Sequence, residues 1–549
     1  MVFFSAKPGP QIPTKDLISW IFDESSHDQN EKIYIDSKDL SRSLTTNQAR
    51  VVVRKLVAGL HANGLEEGDC VCLHSFNDMY YSMLYLGIVA AGGVFTGTNP
   101  SYTQYELTHH IKTAKAKFLI TEPEMLGAAL AAGKQCKIPH SKTFIFDVHG
   151  QEFPEGYKSW KVLLDHGEKD WRRFDDFETA SNTTAARMFS SGTTGLPKAA
   201  VVSHYNLIAQ HELAYSDHKP FRGKRILALP MFHAAAAPVS HTTVLKAGQL
   251  AIVMRRFDLE EYLANIEKWE INEVGIVPPI AIGIIMSPLN KKYSLKSVQQ
   301  VMIGAAPLGR DSQKRLRDLL PKEAMVLQVW GMTEMTCIGS MFPYPEDDDT
   351  GSVGREQSLM YCRIIDDAGK DISAYDTRGE LCIRGPIVVK GYFENPAANA
   401  ESFDSEGFFK TGDIVYCDSK TQKWYVVDRK KELIKVRGFQ VAPPELETVL
   451  LSHPHIIDAA VIGAKCPQDP DVELPRAYVV RRDSEEGKKL SVEDVKKWSG
   501  SRLAKFKELT GGVIFVDSIP KNASGKILKR ILREQAKKEM DASNEKARL

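Results

Sequence analysis

The densest cluster of reactive residue types runs Phe189-Ser190-Ser191-Gly192-Thr193-Thr194-Gly195-Leu196-Pro197-Lys198. Glycine lets a backbone wrap closely round an anion, the hydroxyls of Ser190, Ser191, Thr193 and Thr194 supply donors, and Lys198 adds positive charge, so the segment suits phosphate. It is not a Walker loop. Gly192 and Gly195 stand too close together, and Ala199 follows Lys198 where that loop needs Ser or Thr.

Further motifs follow in order: Pro230-Met231-Phe232-His233, Gly304-Ala305-Ala306-Pro307-Leu308, Gln328-Val329-Trp330-Gly331-Met332-Thr333-Glu334 and Thr411-Gly412-Asp413. Asp428-Arg429-Lys430-Lys431-Glu432-Leu433-Ile434-Lys435, Gly438-Phe439-Gln440-Val441-Ala442-Pro443 and Pro520-Lys521-Asn522-Ala523-Ser524-Gly525-Lys526-Ile527 complete the set. Together they resemble the motifs of the acyl-adenylate-forming superfamily, which holds acyl-CoA synthetases, 4-coumarate:CoA ligases, beetle luciferases and the adenylation domains of peptide synthetases. The resemblance covers essentially the whole chain. Its texture from Leu433 to Glu447 is similar to that of 4-coumarate:CoA ligases and their fungal or peroxisomal relatives.

That resemblance implies a site. Ser190, Ser191, Gly192, Thr193, Thr194, Gly195 and Lys198 would cradle phosphates; Ala305, Ala306, Pro307, Gly331 and Met332 would border the nucleotide, with the face of Trp330 on adenine. Thr333 can donate to the α-phosphate, and Glu334, acceptor-only, suits a magnesium ion bridging phosphate oxygens. Asp413 and Arg429 would hold the ribose, each charge-assisted bond contributing ~1.5–3 kcal/mol. Lys526 would reach the α-phosphate and the attacking carboxylate. Lys435 and Gln440 occupy positions that handle phosphate and carboxylate, Arg437, Gly438 and Phe439 would guide the thiol of CoA, and Lys431 marks a hinge.

The implied reaction has two halves. A carboxylate attacks the α-phosphorus of ATP to give a mixed anhydride, and a thiol then displaces AMP. The small lobe would rotate between the halves. In the implied acyl pocket, which also takes in Gly304, Ala234-Ala235-Ala236-Ala237 removes bulk after His233, so Ala235 and Ala237 widen it, while Val329, where the family commonly has Gly, narrows another wall. His233 would gate this pocket. The expectation is an acid:CoA ligase for a bulky hydrophobic acid, aromatic or medium to long aliphatic, since an apolar pocket separates analogues by only ~1–3 kcal/mol per methylene. A luciferase-like oxygenase, a stand-alone enzyme loading a carrier protein and an inactive nucleotide-binding protein remain open.

The elements that must position these groups can be read from periodicity. Helical spacing marks residues 51–63, 81–91, 259–269 and 311–320, and short apolar runs at 71–73, 117–121, 143–147, 225–229, 250–254, 273–277 and 299–303 read as buried strands. Alternation of the two predicts layered α/β structure with largely parallel sheets. Turn signals after residue 360 predict an antiparallel β subdomain, and the last ~120 residues an α+β module. The expected organisation is a large lobe of layered α/β and β subdomains, residues 1–427, and a small mobile lobe, residues 428–549, with the polar run 428–432 as linker.

With 549 residues, more than one core is needed. Lysine plus arginine number 71 against 70 acidic residues, which provides no global basic field for nucleic acid. Eight scattered cysteines without a C-x-x-C pair suggest neither zinc nor a disulfide framework. No apolar run reaches the ~20 residues of a membrane helix. The final Ala547-Arg548-Leu549 is a variant of the S-K-L address, so a peroxisomal location and an import receptor are expected.

Overall fold

The computed structural model describes residues 3–190, 197–216, 219–436, 439–466, 469–522 and 525–546, with 439, 440, 466, 469–472 and 540–546 described by their backbone. Of the expected site, Ser191, Gly192, Thr193, Thr194, Gly195, Arg437 and Gly438 lie outside the described residues, as do Ala547, Arg548 and Leu549 and the side chains of Phe439 and Gln440.

Two seven-stranded sheets form the body of the large lobe. One runs Lys158–Ser159, Thr143–Ile145, Ala116–Thr121, Cys70–His74, Val94–Thr98, Thr184–Ser190, Lys198–Ser203, and only its last pair is antiparallel. The other runs Met325–Gln328, Gln300–Ile303, Glu273–Ile276, Lys224–Leu227, Leu250–Val253, Lys32–Asp36, Ser43–Thr45, again parallel except at the final pair. The expected strands appear within two residues of their expected ends, 71–73 growing to Cys70–His74 while the 225–229 run leaves the sheet after Leu227, ahead of Pro230, which has no N–H for a ladder. The helix Met79–Ala90 is apolar on every side and is buried all round, which is why so hydrophobic a segment belongs to a core. No helix among the described residues is long and apolar enough to cross a membrane.

The antiparallel subdomain is a four-stranded sheet, Tyr361–Ile365, Gly379–Arg384, Phe409–Cys417 and Trp424–Arg429. Its last strand includes part of the polar run expected as a linker: Asp428 pairs with Ile414, and Arg429 with Asp413. The run therefore starts as sheet and leaves it only after Arg429, because Lys430 is still tied by its N–H to the Gly412 carbonyl and by its ammonium to Glu380.

In the small lobe, Ile456–Cys466, Asp469–Arg481 and Gly512–Phe515 form a three-stranded sheet. The two-residue period of its strands feeds two cores. Ala459, Val461, Ala477 and Val479 pack with Leu446 and Leu450 of the helix Pro443–Leu451, whereas Ala460, Ile462, Tyr478 and Val480 pack with Leu532 and Ala536 of the helix Lys529–Lys546.

Candidate active site

Four parallel strands of the second sheet end side by side, and their exits supply most of the site. Lys224–Leu227 leads to His233, Glu273–Ile276 to Val277, Gln300–Ile303 to Gly304 and Ala305, and Met325–Gln328 to the segment from Val329 to Glu334. From Lys224–Leu227 the chain passes to Leu250–Val253 on one flank and then to Glu273–Ile276 on the other, so the strand order reverses there. Ligands of open α/β sheets sit at the carboxyl ends of strands at such a switch point.

A cavity with an empty volume of about 1380 Å³, counted out to its mouth, opens at this edge. Its walls bring together Ser190, His233, Gly304, Ala305, Val329, Gly331, Met332, Thr333, Glu334, Arg429 and Lys526, residues spread over more than 330 positions of sequence but named together by the motifs. Lys526 arrives from the small lobe. Its loop closes on itself through Gly525 N–H to the Asn522 carbonyl and Lys526 N–H to Asn522 Oδ1, both 2.9 Å. Gly525 has φ +78°, and a Cβ there would stand 3.0 Å from Pro279 Cγ, so glycine permits both the turn and the approach to the large lobe.

Burial and the neighbouring Arg429 guanidinium push the Lys526 ammonium down to about 8. Burial, and then Lys526, push the His233 imidazole down to about 4, so it is neutral near pH 7, with its Nδ1 accepting the Ala235 N–H at 3.1 Å. Asp413 is buried and accepts from Trp330 Nε1–H at 2.8 Å, while Arg429 Nε lies 3.3 Å from its other oxygen. Trp330 thus has a polar role as well as a flat face: its N–H locks the carboxylate expected to take ribose.

Three residues that carry the geometry escaped sequence reading. Tyr392 donates to Glu334 Oε1 at 2.7 Å, and its ring lies beneath Lys198 Nζ at 5.0 Å from the centroid. Burial and the Glu334 charge push its phenol upward, which keeps it a donor. Backbone pairing of Tyr392 with Ala200 seats it beside the strand that Lys198 begins. Gln328, one residue before the expected pocket wall, brackets the 304–308 loop by accepting from Leu308 N at 2.8 Å and donating to its carbonyl at 3.0 Å. Ala305 in that loop has φ +68°, a left-handed conformation that a surrounding clamp must hold. Asp428, read only as linker, is buried where the lobes meet, and burial raises its carboxyl to about 7 despite Lys529 nearby. A tyrosine after a glycine, a glutamine before a valine and an acid in a charged run carry no distinguishing spacing.

Other expected residues fall elsewhere. Ala237 is in the core and does not line the cavity: the chain there is already helical, entering the π-helical stretch Pro238–Thr243, and Ala234 and Ala236 join Ala235 at the wall instead. A Cβ on Gly304 would stand 3.2 Å from Val329 Cγ2, so valine does narrow this wall. Ala306, Pro307, Trp330 and Asp413 stand beside the cavity and not on its lining. Lys435 is exposed, outside that lining, and pairs with Gln440 across the hairpin Ile434–Val436 and Phe439–Val441. Lys431 lies 3.9 Å from Glu401 across the lobe junction.

The set offers cations for phosphate, one hard carboxylate oxygen for a metal, an acceptor for hydroxyls and an apolar chamber. Comparison with known proteins gives this arrangement a family. Residues 22–393 match the AMP-binding enzyme family and residues 445–526 the AMP-binding enzyme C-terminal domain. The chain is 52% identical over 539 residues to phenylacetyl-CoA ligase epaB of Aspergillus niger, covering 97% of this chain and 99% of that one, and 51% identical to acyl-CoA ligase azaF of the same species, covering 97% and 100%. Among solved structures, ATP-bound MatB from Rhodopseudomonas palustris superposes with a TM-score of 0.82 at 27% identity, over 95% of this chain and 98% of that one. The chain belongs to the AMP-binding enzyme family, within the acyl-adenylate-forming superfamily of the acyl-CoA synthetases.

Proposed function

We propose that this acid–thiol ligase joins a hydrophobic carboxylic acid to CoA by way of an acyl-adenylate. The observation that carries the reading is a single cavity in which Lys526 and Arg429 meet Thr333, Glu334 and a neutral His233 at the mouth of a largely apolar chamber. Asp413, fixed by Trp330 and Arg429, takes the ribose hydroxyls. Lys526 then stands over the point where an acid oxygen attacks the α-phosphorus; the bond from that phosphorus to the bridging oxygen breaks, and pyrophosphate leaves. A preorganised cation pointed at developing charge in a site with little water lowers the barrier most effectively. His233, kept neutral, adds no competing charge beside the acid.

Glu334 fits a magnesium ion, because Tyr392 fixes one of its oxygens and leaves the other for a cation. Bound there, the ion would neutralise charge on the departing pyrophosphate. In the second half the sulfur of CoA attacks the acyl carbon, the carbon–oxygen bond to AMP breaks and the thiol proton is lost to solvent. Rotation at Lys431 would exchange Lys526 for the face around residues 437–440. The relative named for phenylacetate supports an aryl or comparably bulky acid. The terminal Ala547-Arg548-Leu549 supports a peroxisomal address, which fluorescent fusions with and without the tripeptide would test.

The deciding experiment incubates the protein with ATP, magnesium, CoA and a panel of aromatic and aliphatic acids, following AMP and acyl-CoA by mass. Stoichiometric acyl-CoA and AMP with one or more hydrophobic acids is expected. Pyrophosphate release without any thioester would point to a carrier protein as acceptor and overturn the CoA assignment.

A further inference from the structure

The chamber does not end in apolar residues. The lining runs back along two neighbouring strands and their exits, from Leu229 through Leu227 and Ile226 to Arg225 on one and from Val277 through Ile276 and Gly275 to Glu273 on the next. Arg225 and Glu273 are directly paired in the sheet. They sit at the amino ends of their strands, whereas the adenylate groups lie at the carboxyl ends. Four residues at ~3.3 Å each place this pair roughly 13 Å from Val277, at the floor of the chamber.

The floor is polar by construction. The Arg225 guanidinium is ion-paired with Glu273 and donates from Nε to Gln249 at 2.8 Å; Glu273 also receives Lys219, which reaches Gln300 at 2.8 Å. Both Arg225 and Glu273 are buried. Beside them Tyr215 lines the same cavity, and its hydroxyl lies 3.9 Å from the Cys337 sulfur, a weak partner. A half-buried phenol facing the cavity with only this weak sulfur contact keeps hydrogen-bonding capacity to offer a bound molecule. Gly275 adds room, since a Cβ there would meet nothing within 4 Å. A purely hydrophobic acid would leave the Tyr215 hydroxyl facing apolar carbon, at a desolvation cost that an oxygen at its far end removes.

We infer that the acid activated here carries a hydroxyl or carbonyl oxygen at the end remote from its carboxylate, bound by the Tyr215 hydroxyl with the Arg225 guanidinium behind it. This deepens the ligase reading and rests on it. The test compares octanoate with ω-hydroxyoctanoate and decanoate with ω-hydroxydecanoate by acid-dependent pyrophosphate exchange, taking the ratio of kcat/KM within each pair. Wild type should favour the hydroxy acid of at least one pair by about tenfold to a hundredfold, and Tyr215→Phe should bring that ratio close to one. Gly275→Leu, which fills the floor without touching the nucleotide groups, should shift the preferred acid to a shorter chain. Equal rates within both pairs, a ratio that Tyr215→Phe leaves intact, or an unchanged length profile in Gly275→Leu would each overturn the inference. Failure of every acid to drive exchange would remove the ligase reading itself, and is thereby distinguishable.

Discussion

Replacing Lys526 separates the two half-reactions, and its depressed pKa makes the separation visible as a pH profile. Burial disfavours the ammonium and Arg429 repels it, bringing it to about 8. Because the charged form is the one needed and its pKa is lowered, the charge is present below that value and lost as pH rises through it. With a midpoint near 8, about nine-tenths of the molecules carry the charge at pH 7 and about one-tenth at pH 9, so kcat/KM for ATP in acyl-adenylate formation should fall about tenfold between them. Lys526→Arg, charged throughout this range, should flatten the alkaline limb, whatever its absolute rate. Lys526→Ala should lower adenylation by about 10²–10³-fold, the cost of one preorganised charge contact. Labelled pyrophosphate exchange reports this half; thioester formation from supplied acyl-adenylate and CoA reports the other, and should be little affected. Equal losses in both halves, or an alkaline limb that survives in Lys526→Arg, would refute the assignment.

Trp330→Phe keeps an aromatic face but deletes the 2.8 Å donor to Asp413, so KM for ATP should rise by about tenfold or more with a smaller change in kcat. Steady-state kinetics at varied ATP would check it. Tyr392→Phe frees the Glu334 oxygen it holds; kcat for pyrophosphate release should fall about tenfold and the magnesium concentration giving half-maximal rate should rise. A positioning tyrosine moves that metal dependence, whereas a merely structural one would not. Asp428 has a raised folded-state pKa, so its contribution to stability is fully present below its ordinary value near 4 and is lost as pH rises through about 7. Thermal melts from pH 5 to 8 should show wild type losing stability relative to Asp428→Asn, and parallel curves would contradict the burial argument.

The motifs carried most of the site because adenylate chemistry demands particular residue types at fixed places along the chain. Lys526, Arg429, Glu334 and His233 could be named from the sequence although the fold alone brings them to one cavity. Strands and helices of the layered lobe were legible for the same local reason: buried parallel strands need short apolar runs, and the helix Leu259–Trp269 follows its apolar spacing to the residue. What stayed hidden depends on tertiary contact. Tyr392 acts only because a backbone bridge to Ala200 carries it across to Glu334, and Gln328 only because the 304–308 loop folds back over its amide. Ala237 was misplaced since four consecutive alanines give no phase, and the π-helical turn after them selects which methyl faces inward. The polar floor was missed because Arg225 and Glu273 stand at the polar ends of strands that read as apolar.

The central claim is that one cavity makes an acid reactive by joining it to AMP, and the incorporation of labelled pyrophosphate into ATP measures this most directly. Label should enter ATP when magnesium and a suitable hydrophobic acid are present, without CoA, and should not do so in Lys526→Ala. If label enters ATP at the same rate whether or not acid is added, or in no condition while acyl-CoA still accumulates, the acyl-adenylate route is contradicted.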